Sequence, residues 1–228
     1  MFRPLPLIAG LALAVTPAVA AEAAPTRPVV VELFTSQGCS SCPPADAYLT
    51  RIVHDRPDVL ALTFHVTYWN NLGWTDPFSF KGATDRQLAY AQRFGDQQYT
   101  PEMVVDGRQG VVGSDRTSVD AAIGAAKADP TIAPVTFQLQ TGHVRISVGS
   151  GMGAGQVLLL GYDDQHQTAV RRGENGGRTL TESHIVRSIR PVGAWNGQAL
   201  DIDAPMPEGE RAAVLVQAPD GRIIGAAQ

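Results

Sequence analysis

The sequence predicts an α/β domain built on a mixed sheet, followed by an antiparallel, sandwich-like β region. Two observations carry this. Up to about residue 128, apolar runs of strand length alternate with segments of helical period. Beyond Asp129-Pro130 there are only short, partly alternating segments separated by glycine turns. The 228 residues are 44% apolar and 18% charged, the balance of a globular chain.

Val29-Val30-Val31-Glu32-Leu33-Phe34 is apolar and β-branched, lies between Pro28 and Ser36-Gln37-Gly38, and reads as a buried strand. Pro43-Pro44 fits only the first turn of a helix, where N–H groups have no partner to lose. Ala45, Tyr48, Leu49, Ile52 and Val53 then recur at helical spacing until Pro57-Asp58. Val59 to Val66 reads as a second strand, and Thr84 to Phe94 as a helix with Leu88 and Ala91 on one face. Met103 to Val105 and Gly110 to Val112 flank Asp106-Gly107, a hairpin signal because that pair tolerates positive φ. Ser118 is the expected cap of a last helix with Val119, Ala122, Ile123 and Ala126 on one face. Short strands are then expected at 135–141, 143–148, 156–162, 168–172, 184–189 and 211–217. The expected modules are residues 26–129 and 132–228.

The first residues have another character. Arg3 is the only charge before Glu22, Leu5 to Val15 is apolar, and Ala18-Val19-Ala20 gives a small-x-small pattern. Residues 1–20 therefore read as a signal segment cleaved near Ala20. The run falls short of the roughly 20 residues of a membrane span, and no later stretch reaches that length. The expectation is an exported chain, periplasmic or secreted, with no membrane span after cleavage. A formal net charge of −4 without a basic run argues against a nucleic-acid surface.

An exported chain meets conditions in which disulfides persist. This one has two cysteines, Cys39 and Cys42. The loop they close is so short that a bond adds little chain-entropy stabilisation. At a helix start, unpaired N–H groups and the helix dipole favour a thiolate at Cys39, and Cys42 lies close enough to resolve a mixed disulfide. Cys39 is thus expected to be accessible and Cys42 shielded. Two other readings stay open: Cu(I) held by the two thiolates, and a permanent disulfide in a binding protein. Structural zinc would need two further ligands, and there is no second cysteine pair. His65, His143, His166 and His184 are scattered and read as structural. No metal site and no organic cofactor are assigned.

The CxxC after the first strand, Thr100-Pro101 before the hairpin, and the order of elements over residues 28–128 resemble the thioredoxin fold. The longer strings FTSQGCSSCPPAD, HVTYWNNLGWTDPF, TPEMVVDG and RGENGGRTL resemble an exported thioredoxin-like family catalogued as domain of unknown function 1223. The resemblance implies an α/β thioredoxin-like first domain and a thiol–disulfide oxidoreductase acting on protein thiols or disulfides or small thiols, with a redox partner protein. It gives Cys39 the attacking role, Cys42 the resolving role, and Thr100 and Pro101, with a cis peptide, the task of presenting backbone to substrate. Tyr68, Trp69 and Trp74 are expected as a wall of the substrate groove, because loops after neighbouring parallel strands share one sheet edge. Thioredoxin itself carries a buried acid on the strand before its cysteines, which moves protons during exchange. Glu32 lies on that strand here, with its direction open. The RGENGG segment reads as a solvated hairpin turn, and the resemblance allows it a role in docking the two halves.

Overall fold

The computed structural model describes residues 27–228, so the expected signal segment, residues 1–20, lies outside the described residues. The order of elements is β1 (Val29–Thr35), α1 (Pro43–Asp55), β2 (Val59–His65), α2 (Lys81–Phe94), β3 (Glu102–Val105), β4 (Gln109–Val112), α3 (Arg116–Ala126), β5 (Val135–Gln140), β6 (His143–Val148), β7 (Gly155–Ala169), β8 (Thr179–Trp195), β9 (Leu200–Pro205), β10 (Arg211–Gln217) and β11 (Ile223–Ala227). Eight strands form one sheet in the order β11-β10-β7-β8-β2-β1-β3-β4, and β5-β6-β9 form a second. The described residues form a mixed α/β structure with a large sheet and three helices.

Alternation along the central strands assigns the faces. Val29, Val31 and Leu33 of β1 pack with α1 and α3, while Val30 and Phe34 pack with α2. The same period carries Thr35 and His65, paired across β1 and β2, onto the α1 face, and Glu32 onto the α2 face. Val144, Ile146 and Val148 of the small sheet cover Val157, Leu159, Val214 and Val216 of the large one. Within these two layers the pairings β5–β6, β6–β9, β7–β8, β7–β10 and β10–β11 are all antiparallel.

Local chemistry explains the helix ends. Pro43 and Pro44 occupy the first turn of α1. Gly95, at φ 71° in the left-handed region, closes α2, its N–H reaching Ala91 O. The cap of α3 is Asp115 rather than the expected Ser118. Its carboxylate accepts from Ser118 N at 3.2 Å. The inward face of α2 also differs: Leu88 is exposed, and Ala83, Gln87, Tyr90 and Ala91 are buried. Gln87 and Tyr90 face inward because buried carboxylates need donors there. Gln87 Nε2 donates to Glu102 Oε2 at 2.8 Å, and Tyr90 Oη donates to Glu32 Oε1 at 3.0 Å.

The connection at 129–132 does not separate two sheets, as the expected modules would require. β8 of the second segment joins β2 of the first in parallel, through Thr63 and Ile185. The expected strand 156–162 and the start of 168–172 both fall in β7, which ends at Ala169 and with β8 makes a long antiparallel hairpin. Without β8, the outer edge of β2 would present unpaired backbone groups. His184 has φ 49°, left-handed for a non-glycine residue, at the point where β8 meets β2. Beyond it the hairpin crosses α1, with Ser183 Oγ 3.1 Å from Thr50 Oγ1. No helix among the described residues is long and apolar enough to cross a membrane.

Candidate functional site

Cys39 and Cys42 are joined in a disulfide at the head of α1. The turn is set by backbone bonds from Cys39 N to Ser36 O at 3.1 Å and from Cys42 N to Cys39 O at 3.3 Å. Gly38 suits a close approach: a Cβ there would lie 3.2 Å from Trp69 Cβ, tighter than an ordinary contact. Thr100-Pro101 is a cis peptide, and Thr100 O lies 4.0 Å from Cys39 Sγ. Ser41 Oγ donates to Cys39 Sγ at 3.3 Å, since a disulfide sulfur has no hydrogen to give. Trp69 Nε1 donates to Thr100 Oγ1 at 2.8 Å, so this indole spans the CxxC turn and the proline loop.

Trp74 reaches the site indirectly, its Nε1 donating to Gln37 Oε1 at 3.0 Å. Its Cβ lies against Gly173 of the β7–β8 turn. Tyr68 stands on the rim, half-exposed, its hydroxyl 3.2 Å from Gln87 Oε1, and burial pushes its phenol up to about 12. Cys39, Cys42, Thr100, Pro101 and Trp69 are thus in one place, with Trp74 and Tyr68 flanking them. Glu32 is not beneath the cysteines. It lies on the α2 face of β1, where Arg86 Nη2 donates to Glu32 Oε1 at 2.7 Å.

The expected accessibility of Cys39 is corrected. Both cysteines are 0% exposed, and only Ser40 and Ser41 between them reach solvent. The cover is the turn of the β7–β8 hairpin. Asn175, itself fully buried, donates from Nδ2 to Gln37 O at 3.0 Å and to Cys39 O at 2.9 Å. Glu174 Oε2 accepts from Ser40 N at 3.0 Å. The RGENGG segment is a solvent-exposed hairpin turn, as expected, and through the buried Asn175 and through Glu174 it also docks on the CxxC turn.

Behind the turn lies a buried polar cluster that sequence reasoning missed. Thr35 Oγ1 donates to Asp46 Oδ1 at 2.7 Å. Gln37 N donates to Asp76 Oδ2 at 2.8 Å, and Gln37 Nε2 to Glu182 Oε2 at 2.7 Å. His65 Nδ1 donates to Asp76 Oδ2 at 2.7 Å. Burial pulls the His65 imidazole down, but the carboxylates of Asp76 and Glu182 outweigh it and hold the ring up at about 9. Burial first, then the charge of Glu182, pushes Asp46 up to about 8. Burial also raises Glu182, whereas for Asp76 the charge of His65 overcomes burial and lowers it. One signal for Asp46 was present in the sequence: it interrupts an apolar helical stripe four residues after Cys42. Among the described residues no group of His, Cys, Asp and Glu is arranged to hold a metal ion.

No curated protein matches the chain. A crystal structure of a protein from Agrobacterium tumefaciens is similar over 90% of this chain and 95% of that one, at 32% identity and a TM-score of 0.77. HBP35 of Porphyromonas gingivalis is similar over 90% of this chain and 76% of that one, at 15% identity and a TM-score of 0.60, a likeness of fold alone. The chain belongs to the family described as protein of unknown function (DUF1223), which matches residues 30–217.

Proposed function

We propose that the protein is an exported thiol–disulfide oxidoreductase acting on protein or small-thiol substrates through Cys39 and Cys42. The observation that carries this is the Cys39–Cys42 disulfide at the head of α1, with the Thr100 carbonyl packed against Cys39 Sγ. That arrangement and the order strand, helix, strand, helix, hairpin, helix over residues 28–128 support a thioredoxin-like reading of the first half. Export rests on the residue pattern of 1–20. A substrate thiolate attacks Cys39 Sγ, Cys42 leaves, and the mixed disulfide is then released by Cys42 or by a second thiol. Thr100 and Pro101 line the approach, and Trp69 holds them against the CxxC turn.

A second reading has one observation in its favour. Both sulfurs are fully buried, which suits a permanent disulfide in a binding protein for a protein partner or, when reduced, for Cu(I). A trapping experiment separates the two. In Cys42→Ser the attacking sulfur remains and the resolving one is gone, so protein purified from its exported compartment should carry partners that dithiothreitol removes. Replacing Cys39 as well should abolish them. An empty trap, together with a disulfide that resists glutathione and thioredoxin buffers, would transfer the assignment to the binding protein. Loss of Cu(I) binding in the double variant would then identify the ligands.

A further inference from the structure

Four ionisable side chains lie behind the CxxC turn, apart from the two sulfurs. Asp46, His65, Asp76 and Glu182 come from α1, β2, the loop after β2, and β8, and all are buried. Three carboxylates and one imidazole cannot all be charged in a dry interior, so at least one acid holds a proton. His65 Nε2 and Glu182 Oε1 face each other at 3.9 Å, and neither has a hydrogen-bond partner. Buried polar atoms are rarely left so. His65 and Glu182 thus meet as a close charged pair within the cluster.

The cluster is connected to the cysteines in two ways. Gln37, two residues before Cys39, is hydrogen-bonded to both Asp76 and Glu182. Asp46 is one helical turn beyond Cys42, which has helical φ −78° and ψ −37°. The Asp46 amide donates to the Cys42 carbonyl at 3.1 Å. Residues four apart on a helix share a face, with Cβ atoms about 5–6 Å from each other. The Asp46 carboxyl thus lies on the Cys42 side of α1. Thr35 Oγ1 donates to Oδ1, which leaves Oδ2 to carry an acid proton. The charged groups that face Asp46 are Glu182 on β8, His65 on β2 and Asp76 on the following loop.

We propose that Asp46 is the proton carrier of the cysteine pair and that Glu182 and His65 set its proton affinity, so that the β7–β8 hairpin supplies a working group of the redox centre. This rests on the oxidoreductase reading. When a substrate thiolate attacks Cys39 Sγ, a substrate–Cys39 S–S bond forms and the Cys39–Cys42 bond breaks. The electron pair goes to Cys42 Sγ, which takes the Asp46 proton, leaving a Cys42 thiol and an Asp46 carboxylate. In the reverse direction Asp46 takes that proton back as Cys42 attacks the mixed disulfide. No further oxidant or reductant is needed beyond the substrate thiol or disulfide.

The test is the rate at which dithiothreitol reduces the full-length disulfide, divided by the concentration of its thiolate, across the neutral-to-alkaline range. In the wild type this thiolate-specific rate should fall as pH rises through about 8, where Asp46 loses its proton. Asp46→Asn should be pH-independent and about a hundredfold slower at neutral pH, the contribution expected of a placed general acid. Glu182→Gln removes a charge that raises Asp46 and should move the break to lower pH. If Asp46→Asn keeps the wild-type rate and profile, the inference is wrong. Should that variant not fold, an unmoved break in Glu182→Gln overturns it equally. A wild-type disulfide that native protein never gives up to dithiothreitol removes the oxidoreductase reading itself. By contrast, a reducible pair with a flat profile removes the proton carrier alone.

Discussion

His65 supplies the positive charge in a buried group that otherwise consists of three carboxylates, and its proton is tied to folding. Its folded value, about 9, lies above the ordinary 6.5. The stability it contributes is therefore complete below pH 6.5 and is lost as pH rises through about 9. Asp46 acts in the same direction. Raised from 3.8 to about 8, it binds its proton more tightly in the folded chain, so its contribution fades over that interval as pH rises. Denaturant midpoints should fall between neutral and alkaline pH. His65→Gln should cost about 3–5 kcal/mol at neutral pH, the loss expected when a buried ion pair is broken from one side. Its remaining pH dependence should be weaker than that of the wild type. A wild type equally stable at both ends of the range would contradict the shifts. Little of this was legible in the sequence. Thr35, Gln37, Asp46, His65 and Asp76 all lie in the strings around the cysteines and the aromatic loop. Their convergence depends on the pairing of Thr35 with His65 across β1 and β2, and on β8 delivering Glu182, which no local spacing encodes.

The β7–β8 hairpin is the element that changes the site most. Its turn places Asn175 over the CxxC loop, with two hydrogen bonds to Gln37 O and Cys39 O from one amide. A bond of this kind contributes about 1 kcal/mol net. Asn175→Ala should therefore loosen closure by about 1–2 kcal/mol, and each 1.4 kcal/mol is a factor of ten in the open fraction. Reduced Asn175→Ala protein should be alkylated at Cys39 about tenfold faster than reduced wild type. Equal rates would mean that the turn does not control access. The sequence pattern found this element only in fragments. The apolar stretches 156–162 and 184–189 read as separate short strands, because the residues joining them to the turn are mostly polar. Polar residues stand there because that part of the hairpin crosses α1 and the buried cluster rather than an apolar core, Glu182 and Ser183 being buried within it. By contrast, β1, α1 and β2 were legible nearly to the residue, since each buries a strand or helix of mainly apolar period.

At the scale of the whole molecule, the two halves share both a sheet and a core, and that bears on whether the first can stand alone. Leu60, Leu62 and Phe64 of β2 pack in one cluster with Leu158, Leu160, Val186 and Leu215 from the second half. Ile223 N donates to Asp106 O at 2.9 Å, tying the last strand to the β3–β4 hairpin. The backbones come so close there that a Cβ on Gly107 would lie 2.1 Å from Gly221 O. Cutting the chain after Asp129 would uncover the outer edge of β2 together with this apolar face. Burial of each large aliphatic side chain is worth about 1.5–3 kcal/mol. Losing four such partners approaches the whole 5–15 kcal/mol by which a domain is typically stable. Residues 27–129 expressed alone should therefore lack a cooperative thermal transition and should elute from a sizing column as aggregate, through the exposed strand edge. Adding residues 130–228 as a separate chain during refolding should recover a soluble 1:1 complex with a cooperative transition. A soluble, cooperatively unfolding monomer of 27–129 would show instead that the shared sheet is a docking contact between two self-sufficient folds, and that the buried Glu182 can be withdrawn from the site without loss of the first half.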